Sequence, residues 1–185
     1  MKRLLVVILL GASFLAAPSL DARPRQATKT KHLSVLDYYF LLPHISIGGN
    51  DTRREKQQLL RTRNKPVVDL GNDYLSVQPD SSPTAQIAVF RGGGADVVAY
   101  SAPDYRSDYN RFALFRLQKG KLCNVTKQLL PFPVRDDHFL YELPRVGATI
   151  RAYSFNIETQ KRKPAFDLAW WRGRFVKLSL RSSKR

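Results

Sequence analysis

Three consecutive side chains, Asp136, Asp137 and His138, carry the oxygen and nitrogen ligands that a metal ion takes. Successive residues of a strand point to opposite faces of a sheet, so three neighbours rarely converge on one ion. The other histidines, His32 and His44, have no partner at metal-ligand spacing. The sequence therefore predicts a solvated turn at 136–138, and neither a bound metal nor another cofactor.

Nucleophile motifs are also missing from the sequence, since no G-x-S-x-G string occurs. The run Gly92-Gly93-Gly94 is not a phosphate loop, because no helix pattern and no G-K-[ST] string follows it. It indicates a hairpin turn instead. Among many acidic residues some carboxylate pair always exists, so a glycosidase-type pair is an unspecific signal. We assign no catalytic residue.

Basic charge is the strongest indication of function. The 185-residue chain holds 31 Lys and Arg against 15 Asp and Glu, a formal net charge of +16. A chain this basic attracts anionic partners such as envelope polymers and lipid headgroups. We predict an anion-binding set on one helix, consisting of Arg53, Arg54, Lys56, Arg61 and Arg63. Trp171, next to Arg172, is predicted to be an exposed aromatic contact.

The N-terminal segment 1–22 has the pattern of an export signal. Two basic residues precede an apolar run that starts at Leu4 and is shorter than the ~20 residues of a membrane-spanning helix. We expect cleavage after Ala17 or Ala22. The mature protein is then periplasmic or extracellular and has no transmembrane span. After the signal we expect a flexible basic leader at 23–31, a single β-rich domain at 32–180 and a basic tail at 181–185.

Two short helices are expected before the strands begin. Ser34 caps either a short helix or an extended arm that ends at Pro43. Thr52 and Glu55 form a capping box for a helix of about three turns. Beyond Pro66, strand-length runs alternate with Gly, Pro and Asn turns. The predicted strands are 66–70, 73–78, 85–91, 96–101, 110–117, 121–125, 138–143, 148–155, 166–171 and 174–180.

This pattern predicts the α+β class, mainly antiparallel, with hairpin-rich sheets and one or two short N-terminal helices. Two packed sheets and one strongly curved meander both remain open. For the last hairpin we predict a three-residue loop, Trp171 to Gly173, which pairs Trp170 with Arg174 and collects the apolar side chains on one face. The same loop type at Gln118 to Gly120 pairs Phe115 with Cys123.

Cys123 is the only cysteine, which excludes an intramolecular disulfide framework and a cysteine-based metal site. Its neighbours are apolar, so we expect a buried small hydrophobic residue. An intermolecular disulfide and a reactive thiol are the alternatives.

Several segments of the chain resemble an uncharacterised family of small exported bacterial proteins. They include DYYFLLP at 37–43, VVDLGNDYLSV at 67–77 and FDLAWWRGRFVKL at 166–178. One departure from the family pattern is Asp73, which stands where the family tends to have glycine after Asn72. The resemblance implies a bacterial, exported and mostly β domain, and it transfers no functional residue.

The leading hypothesis is a non-catalytic binding module for an anionic cell-envelope component. The first alternative is an inhibitor or accessory subunit that acts on another exported protein through a sheet edge or hairpin. The second alternative is a hydrolase without a recognisable motif. The sequence leaves the oligomeric state open.

Overall fold

A computed structural model describes the chain over residues 32–43, 52–61, 66–78, 84–102, 111–132, 139–156, 158–159 and 161–179. All of these residues belong to one compact unit, His32–Arg185. The predicted export signal, leader and basic tail lie outside the described residues, as do Arg63, His44 and the segment 136–138.

The described chain contains three α-helices, one short 3-10 helix (Leu70–Asn72) and ten strands. The α-helices are α1 (Val35–Leu41), α2 (Arg53–Leu59) and α3 (Thr126–Leu129). The strands are β1 (Val67–Asp69), β2 (Tyr74–Val77), β3 (Ala85–Phe90), β4 (Val97–Ala102), β5 (Arg111–Gln118), β6 (Lys121–Asn124), β7 (Phe139–Glu142), β8 (Thr149–Asn156), β9 (Lys161–Trp171) and β10 (Arg174–Leu178).

The α+β prediction is wrong, because the fold is mainly antiparallel β. Its strands form two sheets, and the helices that the structure describes have seven residues or fewer. All ten predicted strands are present, with β9 beginning five residues earlier than expected, at Lys161. The capping boxes of Ser34 with Asp37 and of Thr52 with Glu55 are both formed. Helix α2 ends at Leu59 and is shorter than the predicted three turns.

Each sheet is a meander of strands that are neighbours in sequence. The six-stranded sheet has the order β1-β2-β3-β4-β5-β6, and the four-stranded sheet has the order β10-β9-β8-β7. Every pairing is antiparallel. This topology follows from the short Gly- and Pro-containing connections, since antiparallel neighbours need only a tight turn.

Two hydrophobic clusters hold three layers together. One cluster fills the space between the sheets, where the rings of Phe112 and Tyr141 stack with centroids 4.1 Å apart. The other cluster joins α1 to the opposite face of the six-stranded sheet, with Tyr39 and Ile87 fully buried. The six residues of β4 are all buried, because both faces of this central strand are covered.

The two predicted three-residue hairpin loops are wrong. Both loops have two residues, so Trp171 pairs with Arg174 and Phe115 pairs with Asn124. In the last turn the φ angles of Arg172 and Gly173 are 48° and 84°, and the loop at residues 119–120 has the same signs. Two positive φ angles define the type I′ turn, whose twist suits a two-residue hairpin. A one-residue change of register exchanges the two faces of β10.

The corrected register places Phe175, and not Val176, in the core. The Phe175 ring packs against Phe90 and Trp170, with both centroid distances equal to 5.0 Å. Burial of this aromatic cluster outweighs the cost of a non-glycine residue at positive φ. Trp170 is half-buried and donates from Nε1 to the carbonyl oxygen of Arg91 at 2.8 Å. Trp171 is more exposed, as predicted, with 58% of its surface accessible.

Candidate functional site

The four-stranded sheet has an inner face in the core and an outer face turned away from it. Side chains alternate between the two faces along each strand. Ala152, Phe166 and Phe175 belong to the inner set. The charged and aromatic side chains of the outer face are Glu142, Arg151, Tyr153, Phe155, Arg162, Asp167, Trp171 and Arg174. Its three arginines are exposed.

A β-bulge in β9 brings Arg162 to this outer face. Ala152 lies opposite Phe166, but Tyr153 lies opposite Pro164, so Ala165 is an extra residue in β9. Without it Arg162 would share the inner face of Phe166, since the two residues are four apart. Bulges re-aim side chains in this way, often next to functional sites.

Arg162 and Tyr153 form a stacked pair on the outer face. The guanidinium carbon of Arg162 lies 4.8 Å from the centroid of the Tyr153 ring. Its Nη1 atom is 3.4 Å from Oε1 of Glu142. The stack on Tyr153 and the contact with Glu142 together restrict the position of the Arg162 guanidinium group on this face.

Arg151 lies on the same face of β8 as Tyr153, two residues before it, and opposite Glu142 of β7. Burial, and then the neighbouring Glu142, raises the pKa of Tyr153, while the nearby Arg151 and the charge of Arg162 act in the opposite direction. Two guanidinium groups thus converge on one tyrosine. A cavity of about 260 Å³ adjoins them, lined by Arg151, Ala152, Tyr153, Pro164 and Asp167.

Basic side chains predominate over β8, β9, β10 and their turns. The carboxylates that the structure describes in these elements are Glu158 in the β8–β9 turn and Asp167 in β9. Glu142 lies next to them in the neighbouring strand β7. The basic residues of the same elements are Arg151, Lys161, Arg162, Lys163, Arg172, Arg174 and Lys177. All of them except Arg172 belong to strands, and the early start of β9 at Lys161 adds Lys161, Arg162 and Lys163 to this number.

Trp171 and Arg172 lie at the end of the outer face where β9 turns into β10. The guanidinium carbon of Arg172 is 5.3 Å from the Trp171 ring centroid. Arg174 pairs with Trp171 across the hairpin. The predicted exposed aromatic residue therefore belongs to the same surface as the Arg162–Tyr153 pair.

Lys56 is not part of an anion-binding surface, and this prediction is corrected. It is only 2% exposed, and its Nζ atom donates to the carbonyl oxygens of Phe40, at 3.4 Å, and Leu42. These carbonyls lie at the C-terminal end of α1, where cations are favoured.

The remaining basic residues of the predicted helix set are more widely spread than expected. Arg53 and Arg54 are exposed on α2, and Arg61 follows the end of the helix. Arg53 stacks on Phe40, with 4.9 Å between its guanidinium carbon and the ring centroid. Arg63 lies outside the described residues. Anion binding by the exposed arginines stays a prediction.

Cys123 differs from its expected burial, because it is half-exposed on β6. It lies opposite Arg116, at an edge of the six-stranded sheet.

A second polar cluster surrounds Arg91, which the sequence reasoning did not single out. Arg91 binds both carboxylate oxygens of Asp73, at 2.5 and 2.7 Å, and Oδ2 of Asp96 at 2.6 Å. The hydrogen bond from Arg91 to Asp73 raises the pKa of Arg91. Arg91 also donates to the carbonyl oxygen of Leu33 at 2.9 Å, and Tyr38 donates to Asp96. These groups satisfy one another and fasten α1 to the sheet.

Asp73 has a backbone conformation that glycine usually adopts. Its φ angle is 53°, in the left-handed region that glycine adopts without strain. The carboxylate compensates for this backbone conformation by pairing with Arg91. A glycine at this position could not make the ion pair.

The described part of the chain contains neither a clustered set of metal ligands nor a membrane-spanning helix. No group of three or more His, Cys, Asp or Glu side chains within this part of the chain is arranged to hold a metal ion. None of the helices that the structure describes is sufficiently long and apolar for a membrane span.

Comparison with known proteins supports the fold alone. The chain matches no protein-family model and no curated protein. It is similar to the structure of a domain of an uncharacterized protein from Porphyromonas gingivalis W83, with a TM-score of 0.54 and 14% sequence identity. The likeness covers 80% of this chain and 99% of that domain. The suspected family of exported proteins remains a prediction.

The sequence predicts the exposure of Trp171 but gives no indication of the pair formed by Arg162 and Tyr153. In the sequence alone, the run Lys161-Arg162-Lys163 is visible only as basic charge. One signal in the sequence could have indicated the bulge. Apolar residues occupy every second position over 166–170, and this alternation does not continue past Ala165. A strand that continues beyond a broken alternation contains a bulge.

Proposed function

We propose that this protein is an exported, non-catalytic binding module for an anionic component of the cell envelope, and that the outer face of the four-stranded sheet is its contact surface. One observation carries the proposal, namely the bulge at Ala165 that brings Arg162 beside Tyr153 and Arg151. A solubilising charge needs no such placement, because any exposed position serves solubility equally well.

The physical argument concerns preorganisation. A guanidinium group that is already stacked on an aromatic ring loses less side-chain freedom when it binds an anion than a free arginine does. Arg162 and Arg151 lie near one cavity, so the two guanidinium groups can engage one phosphate or carboxylate together through charge-assisted hydrogen bonds. Arg174 and Trp171 extend the same surface toward the last turn.

The test is co-sedimentation of the protein with an insoluble anionic envelope fraction at increasing salt. The first variant is the double substitution Arg151→Gln and Arg162→Gln. The matched control is Arg53→Gln with Arg54→Gln, which removes the same charge from α2. We expect the outer-face variant to lose at least tenfold in affinity and the control to lose less than threefold. Screening over about 8 Å at physiological ionic strength should weaken wild-type binding steeply.

Equal losses in the two double variants would mean that the protein binds as a diffuse polycation. Absence of wild-type binding at low salt would reject the proposal. Circular dichroism and urea unfolding of each variant verify that the fold is retained.

A further inference from the structure

A larger cleft opens beside the outer face, between the β7–β8 loop and the six-stranded sheet. Its volume is about 630 Å³, within the range of small-molecule sites. We call it the loop cleft; the lining residues that matter here are Tyr74, Gln86, Glu142, Thr149, Arg151 and Asp167.

Two contacts fix the walls of the loop cleft. The backbone N–H of Leu143 donates to Oε1 of Gln86 at 2.8 Å. Nε of Arg145 donates to Oδ2 of Asp69 at 2.9 Å. Both bonds join the β7–β8 loop to the six-stranded sheet. The cleft is therefore formed before any ligand arrives, which lowers the entropy cost of binding.

The lining combines donors with acceptors. Arg151 supplies guanidinium donors, Glu142 and Asp167 supply carboxylate acceptors, and Thr149 supplies a hydroxyl group. A simple anion would meet repulsion from the two carboxylates. A ligand rich in hydroxyl groups suits this lining, because each hydroxyl donates and accepts, and planar carboxylate and guanidinium groups can bind two neighbouring hydroxyls at once.

The loop cleft is continuous with the outer face. Glu142, Arg151 and Asp167 belong to both, since Arg151 pairs with Glu142 on one side and with Asp167 on the other. A chain molecule that crosses the outer face past Arg162 therefore reaches the cleft at Arg151. Its units must carry anionic groups for the outer face and hydroxyl groups for the cleft.

We propose that the ligand is an acidic polysaccharide, with one sugar unit in the loop cleft and a neighbouring acidic group at Arg162. This inference rests on the proposed function and narrows it. A lipid bilayer is too broad and flat to enter the cleft. A single-stranded nucleic acid would stack its bases on open aromatic faces, whereas on this surface Arg162 lies over the Tyr153 ring and Arg172 lies over the Trp171 ring.

The test is isothermal titration calorimetry with three probes on the full mature chain. The probes are a hexamer of galacturonic acid, the neutral hexasaccharide maltohexaose, and linear polyphosphate. The cleft variant is Asp167→Asn, which preserves shape, and the outer-face variant is Arg162→Gln. We expect Asp167→Asn to weaken hexagalacturonate binding about tenfold, as for the loss of one hydrogen bond to a charged group. Polyphosphate binding by the same variant should be unchanged or tighter.

Each result decides a separate point. Equal effects of Asp167→Asn on hexagalacturonate and polyphosphate, or no effect on either, overturn the sugar-binding cleft. So does the failure of hexagalacturonate to bind where polyphosphate does. Arg162→Gln should weaken both anionic probes; if it alters neither, the proposed function fails. Binding of maltohexaose as tight as that of hexagalacturonate would remove the role of the acidic group.

Discussion

Lys56 donates a hydrogen bond from its buried ammonium group to the carbonyl oxygen of Leu42. In the opposite direction, the hydroxyl group of Tyr39 donates to the carbonyl oxygen of Lys56 at 2.9 Å. The two helices are thus bonded in both directions. A lysine that looks in the sequence like part of a basic surface instead caps the C-terminal end of α1.

Replacement of Lys56 by methionine should lower the free energy of unfolding by about 2–3 kcal/mol. The substitution preserves much of the aliphatic volume but removes charge-assisted hydrogen bonds and leaves buried carbonyl groups without their donor. Urea unfolding provides the measurement. The control is Arg54→Met on the exposed side of α2, which should change stability by less than about 0.5 kcal/mol. Similar values for the two variants would contradict the buried cap.

The turn that contains Gly93 touches the turn that contains Gly173, and single substitutions can test this contact. A Cβ atom at Gly93 would lie 2.4 Å from the Cα of Gly173, whereas a Cβ at Gly94 would meet nothing within 4 Å. Both glycines have φ angles above 90°. Gly94→Ala should therefore cost only the backbone strain, about 1–2 kcal/mol. Gly93→Ala should add a further ~1–3 kcal/mol from overpacking. Thermal unfolding of the two variants provides the measurement. Equal losses of stability in both would mean that the two turns do not touch.

The register of the last hairpin predicts opposite outcomes for two neighbouring residues. Phe175 is 2% exposed between Phe90 and Trp170, so Phe175→Ala should cost about 3–5 kcal/mol. Val176 lies on the outer face opposite Ala169, and Val176→Ala should cost less than about 1 kcal/mol. The three-residue loop predicted from sequence would reverse this order. Urea unfolding of both variants decides between the registers.

These cases show how far the sequence determines the fold. The strands were located well because Gly, Pro and Asn turns delimit them locally. The register of β10 was wrong by one residue, because the choice between the two loop lengths depends on Phe90, far away in the chain. Burial of Lys56 was missed for the same kind of reason, since its acceptors come from α1. The site at Arg162 depends on Ala165, whose extra position becomes visible only against the partner strand β8.

Alkaline pH should destabilise the fold through Tyr38, whose hydroxyl group donates to Oδ2 of Asp96 at 3.0 Å. Burial, and then this hydrogen bond, raises the pKa of Tyr38 from 10.0 to about 12. The folded chain therefore holds the phenolic proton more tightly than the unfolded chain does. The resulting stabilisation is complete below the unfolded pKa, near 10, and is lost as the pH rises toward 12.

Tyr38→Phe should remove this contribution. Between about pH 10 and pH 12, the free energy of unfolding of the wild type should fall more steeply than that of the variant. Urea unfolding at a series of pH values measures both slopes. Ultraviolet titration of the phenolates gives an independent reading, because the difference between wild type and variant isolates Tyr38. Its midpoint should lie near pH 12. A midpoint near 10 would mean that burial and Asp96 do not retain the phenolic proton of Tyr38. The polar cluster around Arg91 would then stabilise the fold without a contribution from this hydroxyl group.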